Sequence, residues 1–542
     1  MQEHTPKTGN PDVSSEAKNR EAGNPLFAQL PESLSRVAKR NEIDCDVVST
    51  SIECGTVEDI RIEVPDEVFR TVEQKVQSAR SASIQEKIEQ GIPKLPAQTI
   101  DLEETDTEIS LTIVSDDPRP VTLALAFQRE AARIHRGLGG GAFNTTVDSA
   151  IINLALYRAL GLPESDLPKT HLYLTLPKAQ AETVRKQAEP FPNLDIIWVD
   201  GKPRRSVFIK NQSTGEEIYF STPYGDINQN RAIPSMRTPR FLLLHNQPDD
   251  RIFWDIAVRV RNDLAEHSIV WSVGSNQIRD GIDRYASPMG VCETMTLNLG
   301  EALAWIRKSN SRYIRNDDVL LEHLEEYHNN EKPAGGRTSF VRLFGIFKSE
   351  LGKDQQTSLV LPEDPEKRRI VAQRCADILH RFGVKESVFI TDGSNPTIAS
   401  FKYEDKENNT RKKVQYYIPI IAPETGDRID QLIEATEGDI SHKDATGCGD
   451  SYTATVLALK QITGNRIYPT TIAILANHIA RLVFALPYSN LMEIEAHYPG
   501  VTEKIIRLAV EDLDEINTRC RQNNRLTLLE SKARSLIFQV LR

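Results

Sequence analysis

The run Asp444-Ala445-Thr446-Gly447-Cys448-Gly449-Asp450-Ser451 combines residue types that could carry out proton transfer beside an anion. Two glycines flank one small residue, and the segment that follows, Tyr-Thr-Ala-Thr-Val-Leu-Ala-Leu, has helical apolar spacing. Such a turn lets backbone N–H groups converge at a helix N-terminus, where unpaired donors and the macrodipole favour a phosphate. Asp450 stands at the rim of that anion hole. A carboxylate there is electrostatically costly unless it takes a proton from an attacking hydroxyl, so the implied chemistry is phosphoryl transfer. The competing reading is a plain N-cap, since Asp caps helices well and Gly precedes many of them.

A second pair, Asn298 and Glu301 in Asn298-Leu299-Gly300-Glu301, is spaced i, i+3, which puts both residues on one face of a helical turn. A capping-box start to a helix over 301–306 would use the same two residues.

These segments, with two others in the same order, resemble the signatures of the ribokinase (PfkB) family of carbohydrate and nucleoside kinases. Residues 444–450 are similar to the family's D-T-x-G-A-G-D motif, with Cys448 in place of the usual Ala. Gly139-Gly140-Gly141-Ala142-Phe143-Asn144, leading through Ser149 to Ala155 and closing Ala159-Leu160-Gly161, resembles the first signature. Asn298 to Glu301 is similar to N-x-x-E, and Phe389-Ile390-Thr391-Asp392-Gly393 to the strand that borders the nucleotide. The resemblance spans about residues 139–486.

It implies a Mg²⁺- and ATP-dependent transfer of the γ-phosphate to an alcohol of a sugar, sugar acid or nucleoside. Asp450 would be the general base, with Gly447, Cys448 and Gly449 offering N–H groups to the transferred phosphate. Asn298 and Glu301 would organise the metal. Thr391, Gly393 and Asn477 would border the nucleotide, and Gly139, Gly140 and Asn144 the acceptor. Relatives also carry an Asp at the end of the first core strand that grips substrate hydroxyls. Asp59 is the choice here and Asp117 the rival. Pro396 stands where relatives place a glycine after Gly393, so the nucleotide loop must differ in detail. That departure, with the non-standard front and extra segments, leaves an alternative open: a ribokinase-like protein that binds ligand without turnover.

The elements that must position these residues form an α/β chain. His171 to Leu176, Asp195 to Val199, Phe241 to Leu244 and Ile269 to Val273 read as apolar strands separated by helices, a rhythm that predicts a layered fold with a mainly parallel sheet. The resemblance names this a ribokinase-like three-layer α/β/α core with a small β lid and extra helical segments. Earlier strands are expected over 46–52, 60–64, 109–114 and 121–127, with a helix over 65–91. Val207 to Ile209 and Ile218 to Phe220 flank a hairpin turn. The expected organisation is a disordered or weakly helical extension over 1–42, a first core strand with enlarged lid over 43–138, the kinase core over 139–486 with an insertion at 307–362 containing a charged helix (317–331), and a helical tail over 487–542.

The chain has 542 residues, 66 Lys plus Arg against 77 Asp plus Glu and a net charge of −11, which argues against nucleic acid as a bulk partner. No apolar run is long enough for a membrane span, no signal-peptide core is evident, and six scattered cysteines suit reduced thiols, so a cytoplasmic enzyme without membrane or nucleic-acid partners is expected. A homodimer through lid strands is what many relatives would imply. His171, His245 and His267 read as ordinary structural or surface residues, Trp254 and Trp271 as core packing, and Arg411-Lys412-Lys413 as a solvated loop.

Overall fold

The computed structural model describes residues 49–52, 57–76, 97–115, 121–176, 178–200, 204–214, 217–222, 241–245, 268–274, 277–278, 281–307, 364–393, 395–405, 410–418, 423–435, 447–463, 469–486 and 488–522. Expectations for 1–48, 77–91, Asp117, Trp254, His267, the 317–331 helix, 444–446 and 523–542 lie outside the described residues.

The main sheet has nine strands in the order β16-β15-β14-β13-β12-β11-β1-β7-β8. These are β1 (Ser49–Ile52), β7 (Thr170–Leu176), β8 (Leu194–Asp200), β11 (Phe241–Leu244), β12 (Ser268–Ser272), β13 (Thr294–Asn298), β14 (Ser387–Asp392), β15 (Asn395–Asp405) and β16 (Thr410–Ile418). From β8 to β14 every neighbouring pair is parallel; β14-β15 and β15-β16 are antiparallel. The central strands β11 and β12 read as near-continuous apolar runs because both faces are covered. Leu242, Leu244, Trp271, Met295, Leu297, Val388 and Ile390 join one core, while Phe241, Leu243, Val270 and Phe389 face the opposite side. Period-two alternation thus splits each strand between two helical layers.

The helices are α1 (Gly141–Ala159), α2 (Lys178–Ala188), α3 (Leu299–Arg307), α4 (Pro365–Phe382), α5 (Pro423–Glu434), α6 (Cys448–Thr463), α7 (Pro469–Ala485), α8 (Leu491–His497) and α9 (Val501–Gln522). Helices α1, α6, α7, α8 and α9 pack on one face of the sheet, α3 and α4 on the other. Residues 142–157 of α1 are all buried, as a helix without a polar stripe must be. It stops at Gly161, whose φ of 63° sets up the bond from Leu162 N to Tyr157 O at 2.8 Å. As expected, Trp271 is a core residue, edge-on to Tyr285 and Trp305 at 5.9 and 5.5 Å.

A second body of strands is not hydrogen-bonded into the main sheet. One sheet orders β10 (Glu217–Ser221), β9 (Arg204–Asn211), β2 (Val57–Val64) and β6 (Arg133–Gly139); another orders β3 (Ala97–Glu104), β4 (Glu108–Ser115) and β5 (Val121–Gln128). With a helix over 66–76 they enclose their own core of Ile60, Ile62, Phe69, Ile109, Leu111 and Val207 among others. The expected hairpin is β9-β10, antiparallel with Ile218 opposite Ile209. Strands β3 and β6 carry too many charged residues to stand out in the sequence.

One expectation is corrected here. Arg411, Lys412 and Lys413 do not form a loop; they belong to β16, an edge strand of the main sheet. Lys413 Nζ contacts the Asp377 carboxylate on α4. Charged side chains are a normal way to keep an edge from pairing with another chain. Among the described residues no helix is long and apolar enough to cross a membrane. Cys292, Cys375 and Cys448 are free thiols.

Candidate functional site

The chain runs β1, β7, β8 and then returns to β11 on the other side of β1, so the strand order reverses between β1 and β11. In open α/β sheets that reversal leaves a crevice at the carboxyl ends of the strands, where ligands bind. His245 directly follows β11, Asn298 ends β13, and Thr391, its register partner, lies one residue before the end of β14. Helices α1 and α6 begin at the same edge.

Their first turns meet there. Asn144 Nδ2 donates to Asp450 Oδ2 at 3.0 Å, and Thr145 Oγ1 donates to the Asp450 carbonyl at 3.4 Å. The turn into α1 requires Gly140, whose φ of 114° lies where side chains are strained. The turn into α6 requires Gly447 twice over: its φ is 84°, and a Cβ there would lie 2.1 Å from Ser489 O. Gly449 differs, since a Cβ would meet nothing within 4 Å and the residue is exposed. Cys448 donates its Sγ–H to Ala480 O on α7 at 3.4 Å, a packing role consistent with a small residue at a tight turn.

On the other side of Asp450 stands His245, with Nε2 3.5 Å from Oδ1. This residue, expected to be an ordinary structural or surface histidine, faces the candidate base. Below Asp450, Asp148 is wholly buried and accepts from Ser451 Oγ at 2.5 Å and from Leu491 N at 2.6 Å. Burial pushes its carboxyl up to about 8, and the neighbouring charge of Asp450 adds to the rise. Asp148 therefore ties α1 to the first turn of α6 and to the start of α8. Asn490 continues this link, donating Nδ2 to Leu138 O near the end of strand β6 at 3.1 Å.

The raised carboxyl of Asp148 has a thermodynamic sign. Between about pH 4 and 8 the unfolded chain releases this proton while the folded chain keeps it, so stability falls as pH rises through that window. Asp148→Asn should remove the fall, which amounts to about 1.4 kcal/mol per pH unit for one proton. Urea midpoints at pH 5 and 7.5 check this: the variant should gain on the wild type at the higher pH. An unchanged difference between the two would count against it.

Asn298 and Glu301 form the reciprocal pair that their spacing allowed. Asn298 N donates to Glu301 Oε2 at 2.9 Å, and Glu301 N donates to Asn298 Oδ1 at 2.8 Å, a capping box at the start of α3. The capping reading is therefore realised, and it does not exhaust Glu301. Burial pushes this carboxyl up to about 7, against the lowering pull of the Asn298 N–H and of nearby His245. The negative charge of Asp450 adds to the rise, so the Glu301 carboxylate would gain from a nearby cation. Among the described residues no cluster of three or more His, Cys, Asp or Glu could hold a metal by itself.

The remaining expected residues are placed as follows. Asp59 lies inside β2, opposite Gly137 of β6 and Ser206 of β9, so it belongs to the second body and not to the end of β1. Gly139 ends β6 at the entrance to α1. Gly393 follows β14 with φ 57° and open space beside it. Asp392 between Thr391 and Gly393 takes a bidentate grip from Arg368 at 2.7 and 2.5 Å, which fixes this strand end to α4. Pro396 enters β15, where it cannot donate to a nucleotide. Asn477 is half-buried on α7.

No family model matches the chain, and no curated protein matches it either. Among solved structures, the chain is similar to a ribokinase from Cryptococcus neoformans var. grubii serotype A in complex with ADP, with 12% identity and a TM-score of 0.44, covering 86% of this chain and 99% of that one. It is also similar to the Methanocaldococcus jannaschii nucleoside kinase, with 11% identity, a TM-score of 0.42 and coverage of 85% and 98%. A third is the phosphofructokinase-2 from Escherichia coli in complex with potassium, with 11% identity, a TM-score of 0.41 and coverage of 86% and 99%.

Proposed function

We propose that the chain is a phosphotransferase that moves the γ-phosphate of ATP to an alcohol of a sugar, sugar acid or nucleoside. The observation that carries this reading is the Asp450 carboxylate, held by the Asn144 amide at 3.0 Å where two helix N-termini converge over the carboxyl ends of a parallel sheet. A structural cap needs no partner from another helix; a general base needs its carboxylate fixed in one orientation. Asp450 takes the hydroxyl proton as the acceptor oxygen bonds to the γ-phosphorus. The bond from that phosphorus to ADP breaks, and its electron pair leaves with ADP. Gly447, Cys448 and Gly449 offer backbone N–H groups to the charge spread over the transferred group.

Glu301 and Asn298 are the residues that would hold Mg²⁺ beside the phosphates. The bound ion supplies charge neutralisation at the phosphates. Thr391, Gly393 and Asn477 are proposed to border the nucleotide. Gly139, Gly140 and, from the second body, Asp59 are proposed on the acceptor side. That body, from β2 to β6 with β9 and β10, serves in this reading as the lid, joined to the core by Asn490 on Leu138 O. The core over 139–486 and the tail are proposed as expected from the sequence, as are cytoplasmic location and dimerisation through the lid.

ADP production with MgATP against D-ribose, D-fructose, D-gluconate and inosine tests the reading. Acceptor-dependent turnover on one of them is expected. Absence of turnover on every alcohol, by folded protein that binds ATP, would contradict it and favour a ligand-binding role.

A further inference from the structure

His245 occupies a place that the four sequence motifs leave unassigned. Its ring is only 14% exposed at the side chain and lies against Gly141, the first residue of α1. A Cβ on Gly141 would fall 1.9 Å from the ring's Cε1 and 2.1 Å from Nε2. The third glycine of the Gly139-Gly141 run thus has a specific use, which is to leave room for the imidazole. With the ring seated there, Nε2 stands 3.5 Å from Asp450 Oδ1, while Asp450 Oδ2 is already taken by Asn144. His245 thus faces the carboxylate oxygen that Asn144 does not hold.

We propose that His245 is a positioning residue for the acceptor alcohol: one hydroxyl donates its proton to Asp450 Oδ1 while accepting a hydrogen bond from His245 Nε2. Nε2 and Oδ1, 3.5 Å apart, both lie within reach of one hydroxyl oxygen, and a small outward swing of the imidazole brings the two contacts to ordinary hydrogen-bond geometry. The inference rests on the phosphotransfer reading of the same site. As the acceptor O–P bond forms and the proton passes to Asp450, the imidazole keeps its own proton. It fixes the direction of the attacking lone pair and stabilises charge that builds on the oxygen. An acceptor whose reactive carbon is too crowded to admit both contacts is disfavoured, so the pair also contributes to acceptor choice.

The test uses the full chain with MgATP and whichever of D-ribose, D-fructose, D-gluconate or inosine the wild type phosphorylates. His245→Ala is expected to lower kcat/KM for the acceptor about 10- to 100-fold, with the KM for ATP changed by no more than about twofold. His245→Gln, which keeps a donor at similar reach, should recover much of the loss. Gly141→Ala, which displaces the ring without removing it, should match His245→Ala. Equal kcat/KM in the wild type and His245→Ala would overturn the proposal, as would a rise of the ATP KM in step with the loss. If the wild type phosphorylates no acceptor, the phosphotransfer reading fails and the role of His245 fails with it. A measurement free of turnover separates the two: the Nε2 ¹⁵N shift of His245 in ¹⁵N-histidine-labelled protein should move on Asp450→Asn. An unmoved shift would overturn the pairing whatever the kinetics.

Discussion

Asp450→Asn is expected to lower acceptor phosphorylation about 10³-fold or more, while the protein unfolds within about 1 kcal/mol of the wild type. The two halves of that expectation have separate causes. Stability is retained because the variant keeps a carbonyl oxygen for the Asn144 amide, and because Thr145 is bound to the residue 450 backbone and not to its side chain. Activity is lost because an amide cannot accept the hydroxyl proton. The variant also removes one negative charge from beside Asp148 and Glu301, so both carboxyls should ionise slightly more easily, though burial keeps them raised. Steady-state kinetics beside urea unfolding checks both halves. A comparable loss of stability and activity would mean that Asp450 is a cap and not a base.

The second large effect separates two glycines that look alike in the sequence. Gly447→Ala meets a backbone at φ 84° and the Ser489 carbonyl 2.1 Å away, and neither can yield cheaply. Left-handed backbone at an alanine costs roughly 1–2 kcal/mol and a forced contact in a packed region about as much again, so a loss of about 3 kcal/mol is expected. Gly449→Ala has open space and helical backbone, so stability should hold or rise by up to about 1 kcal/mol. Its methyl would nonetheless stand in the proposed path of the transferred phosphate, and kcat should fall at least about tenfold. Thermal unfolding and kcat on the two variants test this directly. Full activity in Gly449→Ala would show that the transferred phosphate does not pass over residue 449.

The centre of the sheet was legible because strands buried on both faces are near-continuously apolar there. Phe241 to Leu244 and Ile269 to Trp271 could hardly be anything else, and the helices between them follow from period and spacing. The meeting of Asn144 with Asp450, separated by 306 positions, was accessible only through motifs found in order, since no local pattern relates them. His245 was missed for a physical reason: a single histidine after an apolar strand carries no periodic signal, and its partner is distant in sequence. Asp148 was missed similarly, as one acidic residue inside a helix whose wholly buried surface gave no hint of which polar groups pair. Arg411 to Lys413 misled because a charge run suggests solvent, and an edge strand also faces solvent. Asp59 illustrates the limit at lid boundaries: strand alternation fixed β2 but not which sheet it joins.

Release of ADP alone would not distinguish transfer to an alcohol from transfer to water. The central claim is therefore met most directly by following [γ-³²P]ATP with the wild-type chain, Mg²⁺ and the acceptor panel, and by identifying the labelled product. Label carried onto the hydroxyl of one organic acceptor, and absent with Asp450→Asn, is the predicted result. Label found only in ATP or in inorganic phosphate, at every acceptor, would contradict the assignment of Asp450 as the base of a phosphotransferase.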